Sequence, residues 1–90
     1  MVYLRREDAE KTKDFLVKLG KTVREIRLEK GLSQSQLAEQ ANVSTKYVGV
    51  LEGNANRLSN PSAALLRDLC DGLGLTLAEF FARLERRRRR

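Results

Sequence analysis

The sequence predicts an all-α domain of five helices, and three observations carry that prediction. Apolar residues recur at spacings of three and four along most of the chain. These stretches are bounded by helix-capping residues before them and by glycine or asparagine after them. No stretch alternates apolar and polar residues as a half-buried strand would, and one proline and six glycines are too few for a turn-rich β architecture.

Helix 1 is read from about residue 13, where Phe15, Leu19, Val23 and Ile26 form one apolar stripe and Lys18, Lys21, Glu25 and Glu29 take the wet side. Gly31 is its expected C-terminal cap. Residues 1–12 are charged, and either extend helix 1 or hang as an arm. Ser33 caps a short helix 2, with Gln36 at the position that completes a capping box. Leu37, Ala38 and Ala41 face inward, and Asn42 breaks the run because asparagine tolerates the left-handed conformation.

Ser44 caps helix 3, which holds Tyr47, Val48 and Leu51 and ends at Gly53-Asn54-Ala55-Asn56. Asn60-Pro61-Ser62 is read as the start of helix 4, with proline in the first turn where its missing N–H costs nothing. Leu65, Leu66, Leu69, Cys70 and Leu73 give that helix a broad apolar face, and Gly72 and Gly74 are expected to stop it. Thr76 and Glu79 form a second capping box, opening a helix 5 with Leu77, Phe80, Phe81 and Leu84. The domain thus spans 13–85, and 86–90 is a basic tail.

The net charge of +6 resembles a nucleic-acid signal, but five of the positive charges lie in the run Arg86 to Arg90. The remaining 85 residues carry 13 basic and 12 acidic side chains, so the folded part is nearly neutral. The tail is either a DNA-attracting arm or a solvated terminus. Cys70 is the single cysteine, which rules out an intramolecular disulfide and suggests a buried, reduced thiol in a cytoplasmic protein. The first ten residues contain no signal-type apolar run, and nothing approaches the ~18 apolar residues of a membrane span.

There is no histidine, so imidazole catalysis and histidine metal sites are excluded, and one cysteine cannot build a zinc site with others. No strand is available to carry a phosphate-binding glycine loop. Glu25 and Glu29 fall at i, i+4 on an exposed face, where ion pairing or solvation is expected. No enzyme, cofactor, metal, membrane or small-molecule ligand is expected.

The stretch from Gln34 to Leu51 is where function concentrates. Two short helices joined by a tight turn need apolar residues at their mutual contacts, here Leu37, Ala41, Val43, Val48 and Leu51. They also need a small residue where the backbones meet, here Ala38, and a residue willing to turn, here Asn42. Leu19-Gly20, Ile26-Arg27, Gly31-Leu32-Ser33-Gln34, Gln36-Leu37-Ala38, Val43-Ser44, Tyr47-Val48 and Leu51-Glu52 stand in that order. The series resembles the Cro/phage-repressor-like (XRE) helix-turn-helix family, from about residue 16 to residue 82. Asn42 departs from that family's usual glycine, and the loop between Glu52 and Pro61 is longer than its usual loop.

The resemblance implies a lambda-repressor-like fold whose third helix enters the DNA major groove. Carried onto this chain, it points to Ser44, Thr45, Lys46, Tyr47, Gly49 and Val50 as groove-facing residues. Lys46 has the donors for guanine O6/N7, and the Thr45 methyl matches a thymine methyl. Tyr47 offers a hydroxyl to DNA or serves as a half-buried core aromatic, and Val50 either touches thymine or packs. Gln34 resembles the family's phosphate-contacting glutamine at the helix 2 N-terminus, with Gln36 beside it. Asn54, Asn56 and Arg57 are candidate backbone contacts or ordinary loop residues.

Arg27 and Glu52 match an ion pair of the relatives and are expected to be structural. A module of this size buries little DNA surface, so a homodimer on a palindromic operator is expected. Leu77, Phe80, Phe81 and Leu84 on helix 5 are the candidate interface, with Phe80 and Leu84 foremost, or else the whole arc belongs to the core. The resulting expectation is a cytoplasmic, nucleoid-associated transcriptional regulator binding double-stranded DNA, with restriction–modification controller proteins as one subtype and antitoxins as another. A protein-bridging module reusing the fold, and a non-specific binder driven by the arginine tail, are the alternatives.

Overall fold

A computed structural model of the chain describes residues 6–53 and 60–88, which fold into five helices with no strand among them. Helix α1 runs Arg6–Glu29, α2 Gln34–Ala41, α3 Thr45–Leu51, α4 Ala63–Leu73 and α5 Leu77–Arg88. Residues 6–12 therefore continue helix 1. Asn54, Asn56, Arg57 and the last two arginines lie outside the described residues.

Each turn is built from a local device. At the end of α1, Gly31 takes a φ of 72° while its N–H donates to Leu28 O and the Leu32 N–H to Arg27 O, both at 3.0 Å. This is a Schellman motif, which satisfies carbonyls that the helix leaves open. Asn42 closes α2 the same way at φ 58° and ψ 45°, with the Val43 N–H donating to Ala38 O at 2.9 Å. Asparagine thus does here what a glycine would do. Ser33 and Ser44 cap α2 and α3, and the Ser33–Gln36 capping box is complete.

Two boundaries differ from the sequence reading. Ser62, whose hydroxyl accepts from the Leu65 N–H at 3.1 Å, caps α4, so Pro61 precedes the helix and is not in its first turn. Gly72 does not stop α4: it is buried inside the helix, and Gly74 at φ 77° is the cap. A Cβ at Gly72 would stand 3.2 Å from Ala41 N and 3.2 Å from Leu37 Cδ1, so glycine here permits the close approach of α4 to α2.

The core gathers Leu19, Val23 and Ile26 of α1 with Leu37, Ala38, Ala41, Val48, Leu51, Leu66, Leu69, Cys70, Leu73 and Phe80. Helix α2 packs on α3 and α4, while α1 packs on α5. Phe15 departs from its expected place: it keeps the register of the apolar stripe, yet it is 39% exposed. Helix α1 has 24 residues, or about 36 Å, and its residues 9–15 are exposed whereas Leu19 is buried, so this stretch of the helix overshoots the core. Among the described residues no helix is long and apolar enough to cross a membrane.

Candidate nucleic-acid interface

Helix α3 has only seven residues, a length that does not hold together alone in water. Its inner face supplies the missing stability through Val48 and Leu51, both buried. Ser44 opens the helix by accepting the Tyr47 N–H at 3.0 Å, which leaves the hydroxyl proton of Ser44 available to donate outward. Thr45 and Lys46 follow, both exposed, and complete a polar first turn. Tyr47 is half-buried and packs against the core, and Val50 is half-buried as well. Gly49 is buried, contrary to its expected outward position. Without a side chain it has only backbone to offer a partner.

The end of α3 is anchored by charge. The Arg27 Nε donates to Glu52 Oε2 at 2.8 Å and its Nη2 to Glu52 Oε1 at 3.0 Å, a bidentate pair. The two side chains are 7% and 0% exposed. Arg27 Nη1 donates to Leu32 O at 2.7 Å, which joins the start of α2 to the same guanidinium. A fourth participant was not legible in the sequence: Gln34 Nε2 donates to Glu52 Oε1 at 3.1 Å, holding a half-buried Gln34 against the pair. Gln36 is exposed, and its Oε1 is occupied in the capping box by the Ser33 N–H at 2.8 Å. Its amide N–H groups are the part left for a phosphate.

The helix 5 candidates divide. Phe80 and Leu84, expected foremost at an interface, are 0% and 1% exposed and belong to the chain's own interior. The arc of apolar residues on α5 is wide because α5 covers both α1 and α4, which consumes those two side chains. Phe81 is exposed, set edge-on to Phe80 at a centroid distance of 5.6 Å, and Leu77 is half-buried against the core.

Arg83 clamps α5 onto α1. Its guanidinium donates to Glu25 at 2.8 Å and to both carboxylate oxygens of Glu29. The hydrogen bond from Arg83 holds the Glu29 carboxyl below its ordinary range, and the two glutamates raise the guanidinium further above its own. Sequence spacing left both glutamates open to ion pairing or solvation, and gave no means of finding a partner more than fifty positions away. Burial pushes the Cys70 thiol up to about 11, aided by the nearby Asp71 charge, so it is protonated and inert at neutral pH. Among the described residues no group of three or more histidine, cysteine or acidic side chains is placed to hold a metal.

A short capped helix with a polar first turn, anchored behind a second short helix, defines the helix-turn-helix class. The helix-turn-helix family profile matches residues 23–80. The chain belongs to that family, in its XRE-type branch. Among individual proteins it is similar to control protein C.MunI of Mycoplasma sp., 32% identical over 74 residues, which are 81% of this chain and 96% of that one. The wild-type restriction–modification controller protein C.Esp1396I superposes with a TM-score of 0.73 at 30% identity, covering 80% of this chain and 90% of its own. The structure of C.Esp1396I bound to a 25 base pair operator site superposes with a TM-score of 0.77 at 29% identity, covering 84% of this chain and 96% of that one.

Proposed function

We infer that this chain is a DNA-binding transcriptional regulator of the controller-protein kind, acting as a dimer on an operator in the cytoplasm. The observation that carries the reading is the exposed first turn of α3, with Ser44, Thr45 and Lys46 outward and its far end locked by Arg27–Glu52. Similarity to a controller protein solved on its operator supports the same reading. Lys46 donates to guanine O6/N7, the Thr45 methyl meets a thymine methyl, and Ser44 donates to a base edge or phosphate. Gln34 and the first backbone N–H groups of α2 take a neighbouring phosphate, whose negative charge suits the helix N-terminus. Gly49 contributes no side-chain contact, and Val50 sits where it can flank a thymine methyl.

Dimerisation through α5 uses Phe81 with Leu77. Exposure of an aromatic ring on a helix that already packs on its other side supports this assignment. Selection of bound duplexes from a random pool, followed by titration of the enriched and scrambled duplexes at two salt concentrations, tests the reading. Lys46→Ala is expected to weaken the enriched duplex by ~1–3 kcal/mol and leave the scrambled one less affected. A variant that discriminates as well as the wild type rejects the assignment of α3.

A further inference from the structure

The Arg27–Glu52 pair does more than pin two helices, because Glu52 reaches a third group. Its carboxylate has 0% exposure and accepts three hydrogen bonds: two from Arg27 and one from the Gln34 carboxamide. Gln34 is the first residue of α2. Of the opening N–H groups of that helix, those of Gln36 and Leu37 are taken by the Ser33 hydroxyl and carbonyl. Those of Gln34 and Ser35 have no partner among the described residues. The helix therefore begins with open donors, and the Gln34 side chain beside them is tied down at its tip.

A carboxylate at this place is at first sight unfavourable, since a phosphate arriving at α2 would be repelled by it. Arg27 removes that objection, because a bidentate guanidinium cancels the charge locally. What remains is a buried acceptor, neutralised by Arg27, that fixes one N–H of the Gln34 amide and leaves the second as a donor for a phosphate.

We propose that Glu52 is a positioning residue for DNA: its buried carboxylate holds the Gln34 carboxamide in place before the phosphate arrives. This rests on the DNA-binding reading above. A free glutamine side chain would be ordered only on binding, and ordering one flexible side chain weakens association by about threefold to tenfold. Glu52 removes that loss in advance.

The test is a double-mutant cycle on the duplex that the wild-type chain enriches from a random pool. Glu52→Asp keeps a charge opposite Arg27 and withdraws the carboxylate by one methylene from both Arg27 and Gln34. It is expected to weaken binding about threefold to tenfold more in the wild-type background than in a Gln34→Ala background, where only the change at Arg27 remains. Equal weakening in both backgrounds, or none in either, overturns the proposal, since a purely structural effect does not depend on Gln34. A second measurement needs no variant. In the free wild-type chain, the Gln34 side-chain amide protons are expected to show slow exchange and restricted motion by NMR. A freely averaging amide overturns the proposal whether or not Glu52→Asp folds. If the wild type enriches no duplex, the DNA-binding reading fails first, and this proposal with it. Binding without coupling defeats the positioning role alone.

Discussion

Replacing Arg27 by alanine removes three hydrogen bonds at once and leaves the Glu52 carboxylate, 0% exposed, with Gln34 as its single partner among the described residues. An ion pair of this kind is not itself a large source of stability, because both charges are desolvated to make it. Breaking it from one side is different, since the surviving charge keeps its desolvation cost and loses its compensation, at about 3–5 kcal/mol. A domain of this size is stable by on the order of 5–10 kcal/mol. Arg27→Ala should therefore lower the thermal midpoint by roughly 12–40 °C, taking ~4–8 °C per kcal/mol for a short domain. Urea and thermal unfolding followed by circular dichroism measure both quantities. The double variant Arg27→Met with Glu52→Leu separates the two effects, because removing both charges should recover most of the loss. A single-variant loss below about 1 kcal/mol, or a double variant no more stable than the single, would refute the claim that Glu52 is confined away from water.

Three further outcomes are expected. Gly20→Ala places a Cβ 2.1 Å from Leu51 O, so α1 and α3 must part by roughly 1 Å. The variant should lose about 1–3 kcal/mol or more in urea titrations and bind DNA less tightly even where it remains folded. Phe81→Lys should convert a dimer to monomer in sedimentation experiments, with a stability loss near the ~0.5–1.5 kcal/mol of its ring contact with Phe80; an unchanged sedimentation coefficient removes α5 from the interface. The Glu29 carboxyl is held below its ordinary value of 4.5, first by the hydrogen bond from Arg83, so its contribution is present above that pH and lost as pH falls through the lower folded value. Glu29→Gln should accordingly flatten the dependence of stability on pH below about 4.5, and an unaltered slope would mean that the clamp is not populated in solution.

What could be read from the sequence was what neighbouring residues decide between themselves. Ser33 with Gln36, Ser44 with the Tyr47 N–H and Thr76 with Glu79 each close over three positions, and each forms as spacing predicts. Asn42 likewise adopts its left-handed conformation because its own side chain tolerates it. Decisions taken between distant elements were less visible. Periodicity put Phe15 in line with Leu19 but had no means of showing that α1 outruns the core. It marked Phe80, Phe81 and Leu84 as apolar without revealing which of them α5 would spend on its own interior. Gly72 looked like a helix stop because glycine often is one, whereas the approach of α2 gives it a packing role. At the candidate site, Arg27 and Glu52 were legible through family resemblance, but the hydrogen bond from Gln34 depends on the exact placement of two helices and had no counterpart in spacing.

These observations explain how a seven-residue helix can serve as a recognition element. Four restraints act on its inner face and far end: Val48 and Leu51 in the core, the close approach of Gly20 to the Leu51 carbonyl, and the guanidinium that grips Glu52. The near end is held by the Ser44 cap, which is itself polar and outward, and by Tyr47 packed against the core behind it. Rigidity and chemistry are thus separated along less than two turns. Polar side chains are confined to the first turn because the second is needed for anchoring, which is why Gly49 and Val50 replace the long polar residues that a wider reading surface would require. A helix divided in this way can present only a few base contacts. Useful discrimination is then expected to come from doubling the module, and the sedimentation test of Phe81→Lys decides whether the exposed ring on α5 serves that end.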